Sequence, residues 1–338
     1  HFAQVKKENK LLIGRLALSN NQYQKALENF NAIIKKDSTN YEPYYLRGVT
    51  KLELGDYVGA EIDFTQSIYL KPRSVSGYIA RASVRDRLLN HKGAFNDFDK
   101  AITLDSTNAD IYINRAVTYN YLKQFEKSIN DCNTALNFHS KKELIYVIRG
   151  MSYLGLKQYR DAIHDFNILI KNNRFKSNTY VRRATAQYFL VHYDSALTDI
   201  NYALHLDSEN SYAYFQRAMV YSKIEHPDDA LSDLNKVIEL SPNSTSAYYN
   251  RALIYAEKEE PQKALLDYNK VILLNPKNIL AYYNRALIYK QLKNLTSSIK
   301  DVEKAILLYP DFVDAYKLRS SIKQQLGDLI GAKNDKQT

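Results

Sequence analysis

The nine-residue string AYYNRALIY occurs twice, at 247–255 and at 281–289. The copies lie 34 residues apart, and the same interval carries Tyr44, Tyr78, Tyr112, Tyr146, Tyr180, Tyr214, Tyr248, Tyr282 and Tyr316. Three residues after each tyrosine stands an arginine: Arg47, Arg81, Arg115, Arg149, Arg183, Arg217, Arg251, Arg285 and Arg319. A small residue, mostly Ala or Gly, follows each one. A sustained period of this length makes every unit one supersecondary piece that buries its apolar face against its neighbours. The usual prior of two or three globular domains for 338 residues therefore does not apply.

With the tyrosine counted as position 4, complete repeats begin at residues 7, 41, 75, 109, 143, 177, 211, 245 and 279. A partial tenth covers 313–338, and 1–338 reads as one array without insertions. Positions 4, 8 and 11 are apolar or aromatic, as in Tyr248, Ala252 and Tyr255, a spacing that puts them on one helical face. A break near positions 15 and 16, such as Gly55-Asp56 or Lys293-Asn294, precedes a second stripe. Tyr57, Ala60, Phe64 and Ser67 exemplify it at positions 17, 20, 24 and 27. Pro72, Pro242, Pro276 and Pro310 at position 32 stop that helix. Each unit is predicted to be helix–turn–helix, with helices of roughly 12–14 residues, about 20 Å long.

Composition excludes several function classes. Cys132 is the sole cysteine, so neither a disulfide framework nor a thiolate metal site is available. Its repeat position matches Phe64, Phe98 and Phe166, which reads as core. The seven histidines fall at scattered positions without ligand pairing, so no cofactor or metal is expected. No apolar run approaches the roughly 18 residues that span a bilayer. The net charge of +10 divides into +9 for 1–176, −4 for 177–244 and +5 for 245–338. No Lys/Arg run or RNA-binding motif accompanies it, which argues against nucleic acid. There is no Gly-rich phosphate loop, nucleophile elbow or isolated carboxylate pair, so the chain is not read as an enzyme.

The pattern resembles the tetratricopeptide repeat over residues 7–312: a large residue at position 4, a small one at 8, Tyr at 11, Ala at 20, a large apolar at 24 and Pro at 32. The resemblance implies an all-α, right-handed superhelical solenoid with first helices lining a concave groove. Ala26, Ala60, Ala94, Ala162, Ala196, Ala230 and Ala264 would mark the close helix crossing. Departures are informative. Repeat one carries Lys10 and Ile13 in place of Tyr and Arg and reads as a cap. Repeat three has Arg85 at position 11, within the basic run Arg81, Arg85, Arg87. Repeat five ends at 171–176 without its apolar residue or proline, making 172–176 the expected soft junction. The tenth repeat stops within its second helix, so the chain is expected to have been cut there.

Asp63, Asp97, Asp131, Asp165, Asp199, Asp233, Asp267 and Asp301 each stand 16 residues after an arginine, and this ladder is expected to tie each hairpin together. Function is expected from the groove. The family's chaperone carboxylate clamp needs Lys and Asn at positions 5 and 9, and that combination never occurs here. Groove positions carry Arg182, Tyr188, Phe189, Tyr212, Phe215, Met219, Tyr249, Asn250, Leu253, Tyr283, Asn284 and Leu287. Position-5 residues, Val181, Phe215, Tyr249 and Tyr283, either touch a partner or pack on the next repeat; positions 9, 12 and 13 read as contact surface. Aromatics and Met with an isolated Arg are what protein interfaces enrich. The expected role is a non-catalytic scaffold for other proteins or peptide segments, basic ones near repeats six and seven. The alternative is the recognition arm of an enzyme whose catalytic domain lies outside this chain, and self-association is a third reading. Abundant Asn, Lys, Ile and Tyr point to an AT-rich bacterial genome, and Phe2-Ala3-Gln4 reads as the last trace of a cleaved secretory signal. The bacterial envelope or periplasm is therefore expected, with the cytoplasm as alternative.

Overall fold

The computed structural model describes residues 2–171 and 177–337; the junction at 172–176 lies outside them. Twenty helices follow in pairs from α1 (Phe2–Ser19) and α2 (Tyr23–Lys36) to α19 (Val313–Gln325) and α20 (Leu329–Gln337). They group into two compact units, His1–Asn172 with α1–α10 and Asn173–Thr338 with α11–α20. Second helices end just before the position-32 prolines: α4 (Tyr57–Leu70), α14 (Pro227–Leu240), α16 (Pro261–Leu274) and α18 (Leu295–Leu308). Among the described residues no helix is long and apolar enough to cross a membrane.

Local chemistry sets the helix ends. Asn40, Ser74, Asn108, Asn210, Ser244 and Asn278, all at position 34, accept a backbone N–H of the following first helix. Asp56, Asn90 and Asn294 at position 16 do the same for second helices. Between them the first helix closes with two crossed bonds, such as Asp56 N–H to Lys51 O at 2.9 Å and Gly55 N–H to Leu52 O at 3.0 Å. Position 15 is left-handed in every pair, yet only Gly55 and Gly327 are glycines there. Leu89 and Val191 hold φ of 61° and 64° with large side chains.

Burial follows the repeat. Phe30, Phe64, Phe98, Cys132, Phe166, Ile200, Leu234, Tyr268 and Val302 at position 24 are buried, as are the alanines at position 20. Where position 20 is Ser instead, its hydroxyl donates to the position-8 carbonyl, Ser128 to Ala116 O at 2.9 Å and Ser298 to Ala286 O at 2.7 Å. The tenth pair reverses this, with Ser320 at position 8 donating to Ala332 O at 2.7 Å. Positions 8 and 24 trade volume in seven of the nine full repeats, Ala82 with Phe98 and Ala252 with Tyr268 being the exceptions. Gly14, Gly48 and Gly150 each face a Phe ring so closely that a Cβ would stand 2.5–2.8 Å from it. Ala218 packs in one cluster with Leu234 and Ala286 in one with Val302.

In the first unit each first helix also approaches the first helix of the next pair, as α3 (Tyr41–Glu53) does α5 (Val75–Arg87). In the second unit α11 (Ser177–Phe189) approaches α13 (Ser211–Lys223), and the helix Ile279–Gln291 approaches α19. Among the described residues, second helices make no comparable approach to one another. At those joints the first helices are the closer layer, and the stack bends toward them there.

Candidate partner-binding surface

The arginine ladder is the most ordered charge in the molecule. Arg Nε and Nη2 donate to both oxygens of the aspartate 16 residues on, at 2.6–2.9 Å, from Arg47–Asp63 to Arg285–Asp301. A ninth rung, Arg319–Asp335, joins α19 to α20 in the partial repeat, which sequence reading missed although the 16-residue spacing was there. Nη1 reaches back to the preceding repeat: Arg47 to Asn31 at 2.7 Å, Arg149 to Asn133 at 2.6 Å, Arg217 to Asn201 at 2.8 Å, Arg251 to Asn235 at 2.6 Å. The guanidinium also lies over the position-4 tyrosine ring, 5.5 Å away at Tyr214. So the ladder ties neighbouring repeats as well as each hairpin. Where position 11 is cationic, Lys51, Arg85 and Lys323 add a second cation to the same aspartate. Arg85 also holds Glu61 at 2.7 Å. All this charge is consumed structurally.

The predicted groove residues stand on α11, α13, α15 (Thr245–Glu257) and α17 (Ile279–Gln291), and the structure divides them. Val181 is fully buried, and Phe215, Tyr249 and Tyr283 pack half-buried against the core. Tyr249 meets Tyr268 edge-on at 6.0 Å and accepts from Asn284 Nδ2 at 2.9 Å; Tyr283 lies 4.9 Å from Phe312. Burial pushes the Tyr249 phenol up against the lowering effect of that bond. Position 5 therefore serves inter-repeat packing. Met219, at position 9, is drawn into the same core margin, and Asn250 spends its amide on Ser246 O at 2.8 Å. Leu253 is half-buried.

The remaining residues face outward. Phe189, Tyr212 and Leu287 are 54%, 43% and 39% exposed. Tyr188 braces Phe189 edge-on at 5.2 Å and touches Tyr193 at 5.8 Å. Tyr212 Oη lies 3.4 Å from Thr185 Oγ1, linking α13 to α11. Leu280, 51% exposed at the same repeat position as Tyr212, belongs with this set although sequence reading passed over it. It lines a hollow of about 160 Å³ with Thr245, Ser246, Tyr249, Asn250 and Asn278. Arg182 is half-buried, and burial lowers its guanidinium from the usual value, opposed by the Tyr212 phenol.

The acids of 177–244, on which the expectation of basic partners near repeats six and seven rests, lie off the first helices α11 and α13. Helices α11 and α13 contain four cations, Arg182, Arg183, Arg217 and Lys223, and no acid. Asp199 and Asp233 are rungs of the ladder, and the other acids occupy second helices and loops. Among the described residues no group of three His, Cys, Asp or Glu converges to hold a metal.

Family models of the tetratricopeptide repeat match residues 11–75, 109–138, 211–244, 245–278 and 279–312, together more than half of the chain. Among solved structures, a tetratricopeptide repeat protein from Parabacteroides merdae is 24% identical and covers 75% of this chain and 97% of its own, with a TM-score of 0.59. Yeast Tom70, 16% identical, covers 98% of this chain and 91% of its own at 0.52. YrrB, described as a TPR protein with an unusual peptide-binding site, is 27% identical over 56% of this chain and 97% of its own, at 0.42. No protein of curated function matches. With its period, its paired helices and these matches, the chain belongs to the tetratricopeptide repeat family.

Proposed function

We propose that the first-helix surface of α11, α13, α15 and α17 binds an extended or helical segment of another protein, the array acting as a non-catalytic scaffold. One observation carries this reading: Phe189, Tyr212, Leu280 and Leu287 leave apolar area in water on the first-helix layer, beside an arginine. The rival surface is the outer one, where Leu266, Leu273 and Leu307 are at least 70% exposed. Binding hot spots favour aromatic residues and Arg. Exposed Tyr202 and Tyr309 lie off the inner surface as well, but the inner surface sets Phe189 and Tyr212 beside Arg182, which favours it. Serine at Tyr212 and Leu287 should weaken partner binding by about 2 kcal/mol or more while leaving the melting temperature nearly unchanged. Serine at Leu266 and Leu273 should leave binding as it was. The reverse result would move the site to the second helices.

A further inference from the structure

Arg182 and Arg183 are adjacent in sequence and opposite in circumstance. Arg183 is held by Asp199 at 2.6 and 2.8 Å, a bond that raises its pKa. Arg182, half-buried, has no hydrogen bond or ion pair among the described residues, and neither α11 nor α13 supplies an acid. One and two turns along the same face of α11 stand Thr185 and the exposed Phe189. Tyr212 reaches across from α13 to Thr185. The other cations of the surface differ: Lys223 is exposed to water and Lys290 donates to Ser321 Oγ at 2.8 Å. A partly desolvated guanidinium without a counter-charge is complementary to an anion that arrives with the ligand.

Resting on the binding surface proposed above, we propose that Arg182 receives a carboxylate of the bound segment, beside an apolar or aromatic residue that covers Phe189 and Tyr212. The segment is thus acidic at this end. The planar fork of the guanidinium suits a two-oxygen acceptor, where lysine would offer only a point charge.

A random dodecapeptide phage library panned on the full chain tests this. Enriched peptides are expected to share an Asp or Glu next to an aromatic or large aliphatic residue. Resynthesised with an amidated C-terminus, they should lose at least about tenfold in affinity when that acid becomes Gln. On Arg182→Gln the same change should cost nothing, and Arg182→Lys should restore part of the loss. If only the free-acid form binds, the group read is the terminal carboxylate, and the acidic residue proposed for Arg182 is overturned. Peptides that need Tyr212 and Leu287 but carry no acid, or that bind Arg182→Gln equally well, would overturn the role of Arg182 and leave the surface standing. Peptides indifferent to Tyr212 and Leu287 would overturn both.

Discussion

Arg217 illustrates what one residue contributes. Its fork satisfies buried Asp233, its third nitrogen reaches Asn201 of the preceding repeat, and its face covers Tyr214. Arg217→Ala strands a carboxylate that is largely buried, and denaturant unfolding should show a loss of about 3–5 kcal/mol. Arg217→Ala combined with Asp233→Ala should cost less than the two single changes added; strict additivity would contradict the pairing. Position 8 offers a second test at this scale. In Gly48→Ala the new Cβ meets the Phe64 ring at 2.8 Å, an overpacking cost of about 1–3 kcal/mol set against roughly 1 kcal/mol of helix propensity gained. The change should therefore destabilise the natural protein and stabilise the Phe64→Leu variant, whose pairing then imitates Ala218 over Leu234. Equal effects in both backgrounds would refute the volume trade. Buried Ala82 beside Phe98 and buried Ala252 beside Tyr268 mark the lower end of that cost, since there two repeats admit the extra methyl. The arginine and aspartate were legible from spacing alone. The bond back to the preceding repeat was not, because Asn201 and its equivalents at position 25 carry no partner signature until adjacent helix pairs are stacked.

At the scale of the element, period and punctuation sufficed to place twenty helices in pairs, because position-32 prolines, position-16 and position-34 caps and two apolar stripes agree with one another. The turn geometry was less legible. Eight of the ten left-handed residues at position 15 are not glycine, so composition gave no sign of the strain they hold. Val191 is the extreme case, β-branched at φ 64° and 66% exposed, with little packing to offset its conformation. Val191→Asn should raise stability by about 1 kcal/mol in a thermal melt. No change, or a loss, would mean that Val191 makes contacts worth more than its backbone strain. The groove helices show the same limit of sequence reading. Positions 5 and 9 look identical to a contact surface in sequence, and only the neighbouring helix reveals that Phe215, Tyr249, Tyr283 and Met219 are partly buried against the core.

For the whole molecule, the division of labour between layers is the central claim. The second helices and the ladder hold the stack, while the exposed residues of α11, α13 and α17 are left for a partner. Bulk charge does not report on the proposed surface, since residues 177–244 sum to −4 while α11 and α13 carry cations and no acid. Sequence supplied the candidate helices; sorting them into packed and open residues required knowing which side chains the next repeat covers. Hydrogen–deuterium exchange of the full chain, with and without a bound partner peptide, tests the claim most directly. Protection on binding should concentrate in Ser177–Phe189, Ser211–Lys223, Thr245–Glu257 and Ile279–Gln291. Protection confined to Pro261–Leu274 and Leu295–Leu308, around the exposed leucines of the outer face, would contradict it.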